Sequence, residues 1–231
     1  MGWVFVSYDD DCWVHLPKGS WDETPWSDEQ RWAESEAICL RHFRRMPEDQ
    51  EATARLARLL TTYRQGVDDD PLENYLYFED PEDFPLVARV WYGASKGDRD
   101  STLREWSSAK EFDHSPEIAP FSTEGFGEGI RLRGYAESEQ GNMAMHLWYN
   151  LRNEEHGLDL QVIVASNELG RLAVAEPEID AFVQGVQALA DDFEFEEPDL
   201  ENLPEPEPRF SLSGLLRGRK RKQDGGPASR T

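Results

Sequence analysis

The sequence predicts an α+β fold: an antiparallel sheet of about five to seven strands, ending in a three-stranded meander and packed with amphipathic helices. Three observations predict it. Three consecutive segments between Gly129 and Val164 alternate apolar and polar residues, an amphipathic segment follows them at once, and two helical stripes precede Gly66.

From the N-terminus, residues 3–8 and 12–16 read as the two strands of a hairpin turning at Asp9, Asp10 and Asp11. Ser27 and Gln30 have the spacing of a capping box, which predicts a helix from there to Met46. Trp32, Ala33, Cys39, Leu40, Phe43 and Met46 share one arc of that helix. Pro47 ends it and opens a second, with Ala52, Leu56, Leu59, Leu60 and Tyr63 as its stripe and Gly66 as its C-terminal cap. Two strands, 74–78 and 86–92, come next. A short helix near 100–108 and a strand near 118–122 complete the first part of the chain.

In the meander, Ile130 and Leu132 alternate with Arg131, Arg133 and Tyr135. Met143, Met145, Leu147, Tyr149 and Leu151 share one face of the second strand, and Leu158, Leu160, Val162 and Val164 one face of the third. Such period-two runs are the pattern of half-buried antiparallel strands. For the apolar faces to coincide, facing residue numbers must sum to an odd value, which four-residue loops at 139–142 and 154–157 provide. In that register Tyr135 faces His146 and Arg133 faces Trp148. Pro177, flanked by Glu176, Glu178 and Asp180, reads as the first position of the closing helix. Its stripe is Ile179, Phe182, Val183, Val186, Leu189 and Ala190. Strands closed by a helix resemble, in architecture, a PsbP-like α+β sandwich; no site residue is carried over from that resemblance.

Residues 1–192 are expected to form a single domain and 193–231 a disordered tail, acidic and Pro-rich at first and then basic. The chain carries 24 Lys and Arg against 47 Asp and Glu, a net charge of −23. Residues 191–231 hold 10 acids and 7 bases, so −20 resides on residues 1–190. A field of that sign disfavours nucleic acid and anionic membrane as partners of the body and favours a basic protein. No apolar run is long enough for a membrane helix, so an integral membrane protein is not expected. The N-terminus lacks the basic and apolar regions of a secretory signal, and 2 cysteines make no disulfide framework. A cytoplasmic location is expected.

Cys12 with His15 and Cys39 with His42 have the ligand types of tetrahedral zinc. Residues three apart on a strand point to opposite faces, however, and Cys39 falls in an apolar stripe. No metal site and no cofactor is therefore assigned. The acidic runs 9–11, 68–70 and 79–83 lack the ligand spacing of a calcium loop and read as solvated loops. Neither a nucleophile elbow, a phosphate loop nor a dinucleotide fingerprint occurs, and no catalytic residue is assigned. Candidate binding residues are Trp21 and Trp26 in a polar loop, and Arg131, Arg133, Tyr135, His146 and Trp148, expected on one sheet face. Cations mixed with aromatics are common in binding hot spots. In the tail, Arg217, Arg219, Lys220, Arg221 and Lys222 form a basic run suited to an anionic surface, or to folding back on the acidic body. Ser211 and Ser213, near Arg209, form a weak phosphorylation pattern.

Together these features predict a non-catalytic interaction module of adaptor, chaperone or immunity/inhibitor type, binding a basic protein. Two other readings stand beside it. One is a metal-dependent or hydrolytic enzyme using His146 or the Cys/His pairs; the other is tethering to membrane or nucleic acid through the tail.

Overall fold

Seven strands form one fully antiparallel sheet in the order β2-β3-β4-β8-β7-β6-β5. They are β2 (Trp13–Leu16), β3 (Glu73–Tyr77), β4 (Leu86–Ala94), β5 (Glu117–Thr123), β6 (Gly127–Glu137), β7 (Met143–Asn153) and β8 (Leu158–Ser166). A separate ladder pairs β1 (Trp3–Val6) with β9 (Val186–Leu189). The helices are α1 (Glu29–Phe43), α2 (Gln50–Gln65), α3 (Arg99–Ser107) and α4 (Leu169–Gln184). The protein is thus α+β. This computed structural model describes residues 3–67, 72–108, 112–137 and 141–190. The predicted tail, with its basic run and its two serines, and the acidic run 68–70 lie outside the described residues. Among the described residues no helix is long and apolar enough to cross a membrane.

Each face of the sheet builds its own core, as period-two alternation requires. On one face Met145, Leu147, Tyr149, Leu160, Val162 and Val164 pack with Leu172, Ala175, Ile179 and Phe182 of α4. Trp13 stacks on Phe182 at 4.3 Å between ring centroids and carries that core to the β2 edge. On the other face Val14, Leu16, Leu76 and Phe78 pack with Trp32, Ala33 and Leu40 of α1 and with Leu56 and Leu60 of α2. Capping begins each of these two helices. Asp28 accepts from the Arg31 N–H and Asp49 from the Glu51 and Ala52 N–H groups, so α1 is capped one residue after the predicted Ser27. Gly66 caps α2 as expected. Helix α1 stops at Phe43 rather than Met46; Arg45 follows in a left-handed conformation, φ 53°.

The second meander hairpin has the predicted register, Asn153 facing Leu158 across a four-residue loop. The first does not. Glu137 faces Met143, the facing numbers sum to 280, and Tyr135 lies opposite Met145 and Arg133 opposite Leu147. Arg131 and Arg133 therefore share the α4 face with Leu147 and Tyr149, while Ile130 and Leu132 join Trp148 on the opposite face. Two helix acids explain the inversion. Arg131 donates to Asp180 at 2.9 Å and lies 3.1 Å from Glu176, and Arg133 lies 3.4 Å from Glu176. Ion pairing with α4 outweighs simple apolar alternation here.

Helix α4 also corrects the sequence reading at both ends. It begins eight residues before Pro177, which sits inside it with its ring exposed. The missing proline N–H costs one hydrogen bond, which the packed face of Leu172, Ala175 and Ile179 outweighs. The helix ends at Gly185, so Val186 and Leu189 belong to β9 and not to the helical stripe. The predicted N-terminal hairpin is absent as well, because β1 pairs with β9 and β2 with β3.

Gly185 makes that junction possible. Its carbonyl accepts the Ser7 N–H at 3.0 Å, and a Cβ at this position would collide with the Ser7 carbonyl. Gly185→Ala is therefore expected to destabilise the fold by about 2 kcal/mol or more, with loss of β1 protection in hydrogen exchange. A change within 0.5 kcal/mol in urea unfolding would contradict this.

Candidate functional site

Strand β1, paired with β9 apart from the main sheet, lines a cavity of about 520 Å³ together with β2, β3, α1 and the loop that ends at Trp26. Val4, Phe5 and Val6 of β1 form one wall. Trp32 and Glu36, one turn apart on α1, form another, with His15, Glu73 and Tyr75 at the sheet and Tyr8 and Asp10 on the strand-to-strand connection. The aromatic rings are held from behind. Tyr8 meets Tyr75 edge-on at 5.5 Å, and His15 lies 4.8 Å from the same ring.

Charge is distributed unevenly in this cavity. Glu73 is neutralised: His15 Nε2 lies 3.0 Å from one carboxylate oxygen and Lys18 Nζ 3.8 Å from the other. The hydrogen bond from His15, with lesser help from Lys18, holds the Glu73 carboxyl below its usual range. Glu36 has the opposite setting. Burial, reinforced by the negative charge of Asp10, pushes its carboxyl up to about 7. A desolvated carboxylate beside a second acid, framed by Trp32, Tyr8 and Trp26, is a setting that a cationic group would relieve.

The predicted contact residues fall in three places. Trp26 lines the cavity, and its indole N–H is buried without a partner among the described residues. Trp21 lies behind, 6.2 Å from Trp32, with the Arg64 guanidinium 5.4 Å over its ring. Arg131, Arg133 and Tyr135 lie on the α4 face, the two arginines being engaged by Glu176 and Asp180 and Tyr135 being exposed. His146 and Trp148 lie on the other face, so the predicted single surface of five residues does not form. There Phe112 covers them, at 4.9 Å from the Trp148 ring and 5.9 Å from His146. It fits the notch left by Gly134, where a Cβ would strike its ring. Burial lowers the pKa of His146, and its Nδ1 has no partner among the described residues.

The cysteines are held as thiols. Burial, first, pushes Cys12 up to about 12 and Cys39 up to about 11. Neither setting supplies the thiolate that a nucleophile or a metal ligand needs. Among the described residues no three His, Cys, Asp or Glu side chains gather where they could hold a metal ion.

Glu36, Tyr8 and Glu73 were not among the residues that the sequence singles out, and Asp10, expected in a solvated turn, lines the cavity instead. Glu36 did carry a signal. It lies on the arc of Trp32, Ala33, Ala37 and Leu40, all buried, so it is a carboxylate set inside an apolar stripe. The contribution of β1 and Asp10 carried none, because it depends on β1 reaching β9 across nearly the whole described chain.

No family model matches the chain, and no curated protein matches it. Among solved structures the chain is similar to LpqN of Mycobacterium tuberculosis, described as involved in cell envelope biogenesis, with 12% identity over 82% of this chain and 84% of that one and a TM-score of 0.42.

Proposed function

We propose that the protein is a non-catalytic interaction module that binds a basic protein and takes one of its cationic side chains into the cavity at Glu36. The observation that carries this reading is the pair of acids, Glu36 and Asp10, in an aromatic-walled cavity with no cation beside Glu36 among the described residues. The charge of −20 on residues 1–190 adds a long-range field of the same sign, which speeds encounter with a basic partner. A cytoplasmic location belongs to the same proposal; among the described residues Cys12 and Cys39 form no disulfide, as suits a reducing compartment.

The test is titration with a short capped Arg/Lys peptide and with its Gln-substituted counterpart. The cationic peptide is expected to bind and to lose about tenfold or more in affinity between 50 and 300 mM salt, since screening shortens the reach of the acidic field. The neutral peptide is expected not to bind. Equal binding of both peptides, or affinity unchanged by salt, would remove the reading.

A further inference from the structure

The described chain ends beside the cavity. Leu189, in the last strand, faces Trp3 across the β1–β9 ladder, and the next residues of β1, Val4 to Val6, are cavity wall. The chain therefore leaves the body at the rim of its own acidic site. Residues 191–216, 26 positions, separate that exit from Arg217-Gly-Arg-Lys-Arg-Lys222. Fully extended they would span about 90 Å, so reach is no constraint. Five cations in six residues match a site whose Glu36 has an acid and no cation beside it among the described residues.

We infer that the basic run Arg217–Lys222 is a cis occupant of the Glu36 cavity, which a basic partner must displace. The inference rests on the cavity reading above and adds a regulator to it. Tethering raises the local concentration of the run to the millimolar range for a linker that can span the distance, so an external peptide competes at a disadvantage. The acidic linker, with 9 Asp and Glu in residues 191–208, is the rival site for the same cations. That rival does not involve Glu36.

The experiment uses full-length chains and the synthetic peptide Arg-Gly-Arg-Lys-Arg-Lys as probe. Its affinity is measured by calorimetry at low salt for the wild type, for a chain with all five cations of the run changed to Gln, and for that chain with Glu36→Gln added. The expected result is at least tenfold tighter peptide binding when the run is neutralised, with the gain lost on Glu36→Gln. Equal affinity for wild type and neutralised chain would overturn the cis inference and leave the cavity reading standing. A gain that survives Glu36→Gln would also overturn it, placing the run on the acidic linker. Peptide binding to none of the chains would remove both.

Discussion

In the chain whose five run cations are changed to Gln, Glu36→Gln is expected to stabilise the protein by about 3 kcal/mol at pH 8 and to abolish its affinity for cationic ligands. The folded-state pKa of Glu36 is raised from 4.5 to about 7. A raised carboxyl pKa means that its favourable, protonated form is fully present below the unfolded value and is lost as pH rises through the folded value. At about 1.4 kcal/mol per unit, the ionised side chain costs the fold roughly 3 kcal/mol once the pH exceeds 7. Gln keeps the shape without the charge. The two proteins should match in stability near pH 4 and diverge between pH 4.5 and 7. For a domain of this size the gain corresponds to about 5–10 °C in Tm. A substitution that stabilises the fold while removing binding marks a residue kept for function. Equal stability of the two proteins at pH 8 would show that the carboxylate is not desolvated.

Arg152→Ala is expected to cost about 3–5 kcal/mol, because it strands a buried carboxylate. Arg152 holds Asp159 bidentately, with Nε 2.7 Å and Nη2 2.8 Å from the two oxygens, and both side chains are almost wholly buried. The same guanidinium donates to the carbonyls of Gly97 and Lys96 and to the Thr102 hydroxyl, and Ser95 donates to Asp159. One side chain thus ties α3 and the loop before it to β7 and β8. Urea unfolding should show the loss, and hydrogen exchange should show it first in α3. Replacing both Arg152 and Asp159 by Leu should recover much of it, since two apolar residues leave no buried charge. A loss below 1 kcal/mol for Arg152→Ala would mean that Asp159 finds water or another cation.

What the sequence made legible was local. The β7–β8 register could be read because Leu158, Leu160, Val162 and Val164 keep one face wholly apolar and the loop is short. The β6–β7 register could not, because Arg131 and Arg133 find acids on α4, a contact that parity of apolar residues does not see. Pro177 looked like a helix start, since nothing local says that a helix already under way can absorb the lost hydrogen bond. The charge balance is the sequence's support for the proposed basic partner, and it gives that partner no place on the chain. Only the β1–β9 pairing brings Phe5, Tyr8 and Asp10 against α1, and that pairing is the least local contact in the fold.

The central claim is that Glu36 receives a cation, and the proton count on binding tests it most directly. At pH 6.5 the free Glu36 carboxyl, at about 7, is mostly protonated, and a bound cation favours its ionised form. Calorimetric titration of the basic peptide into the chain whose five run cations are changed to Gln, in buffers of different ionisation enthalpy, should therefore report release of roughly 0.5–0.8 proton per peptide. The release should vanish at pH 8.5 and in Glu36→Gln. Binding with no proton release at pH 6.5, or with release unchanged in Glu36→Gln, would contradict the account.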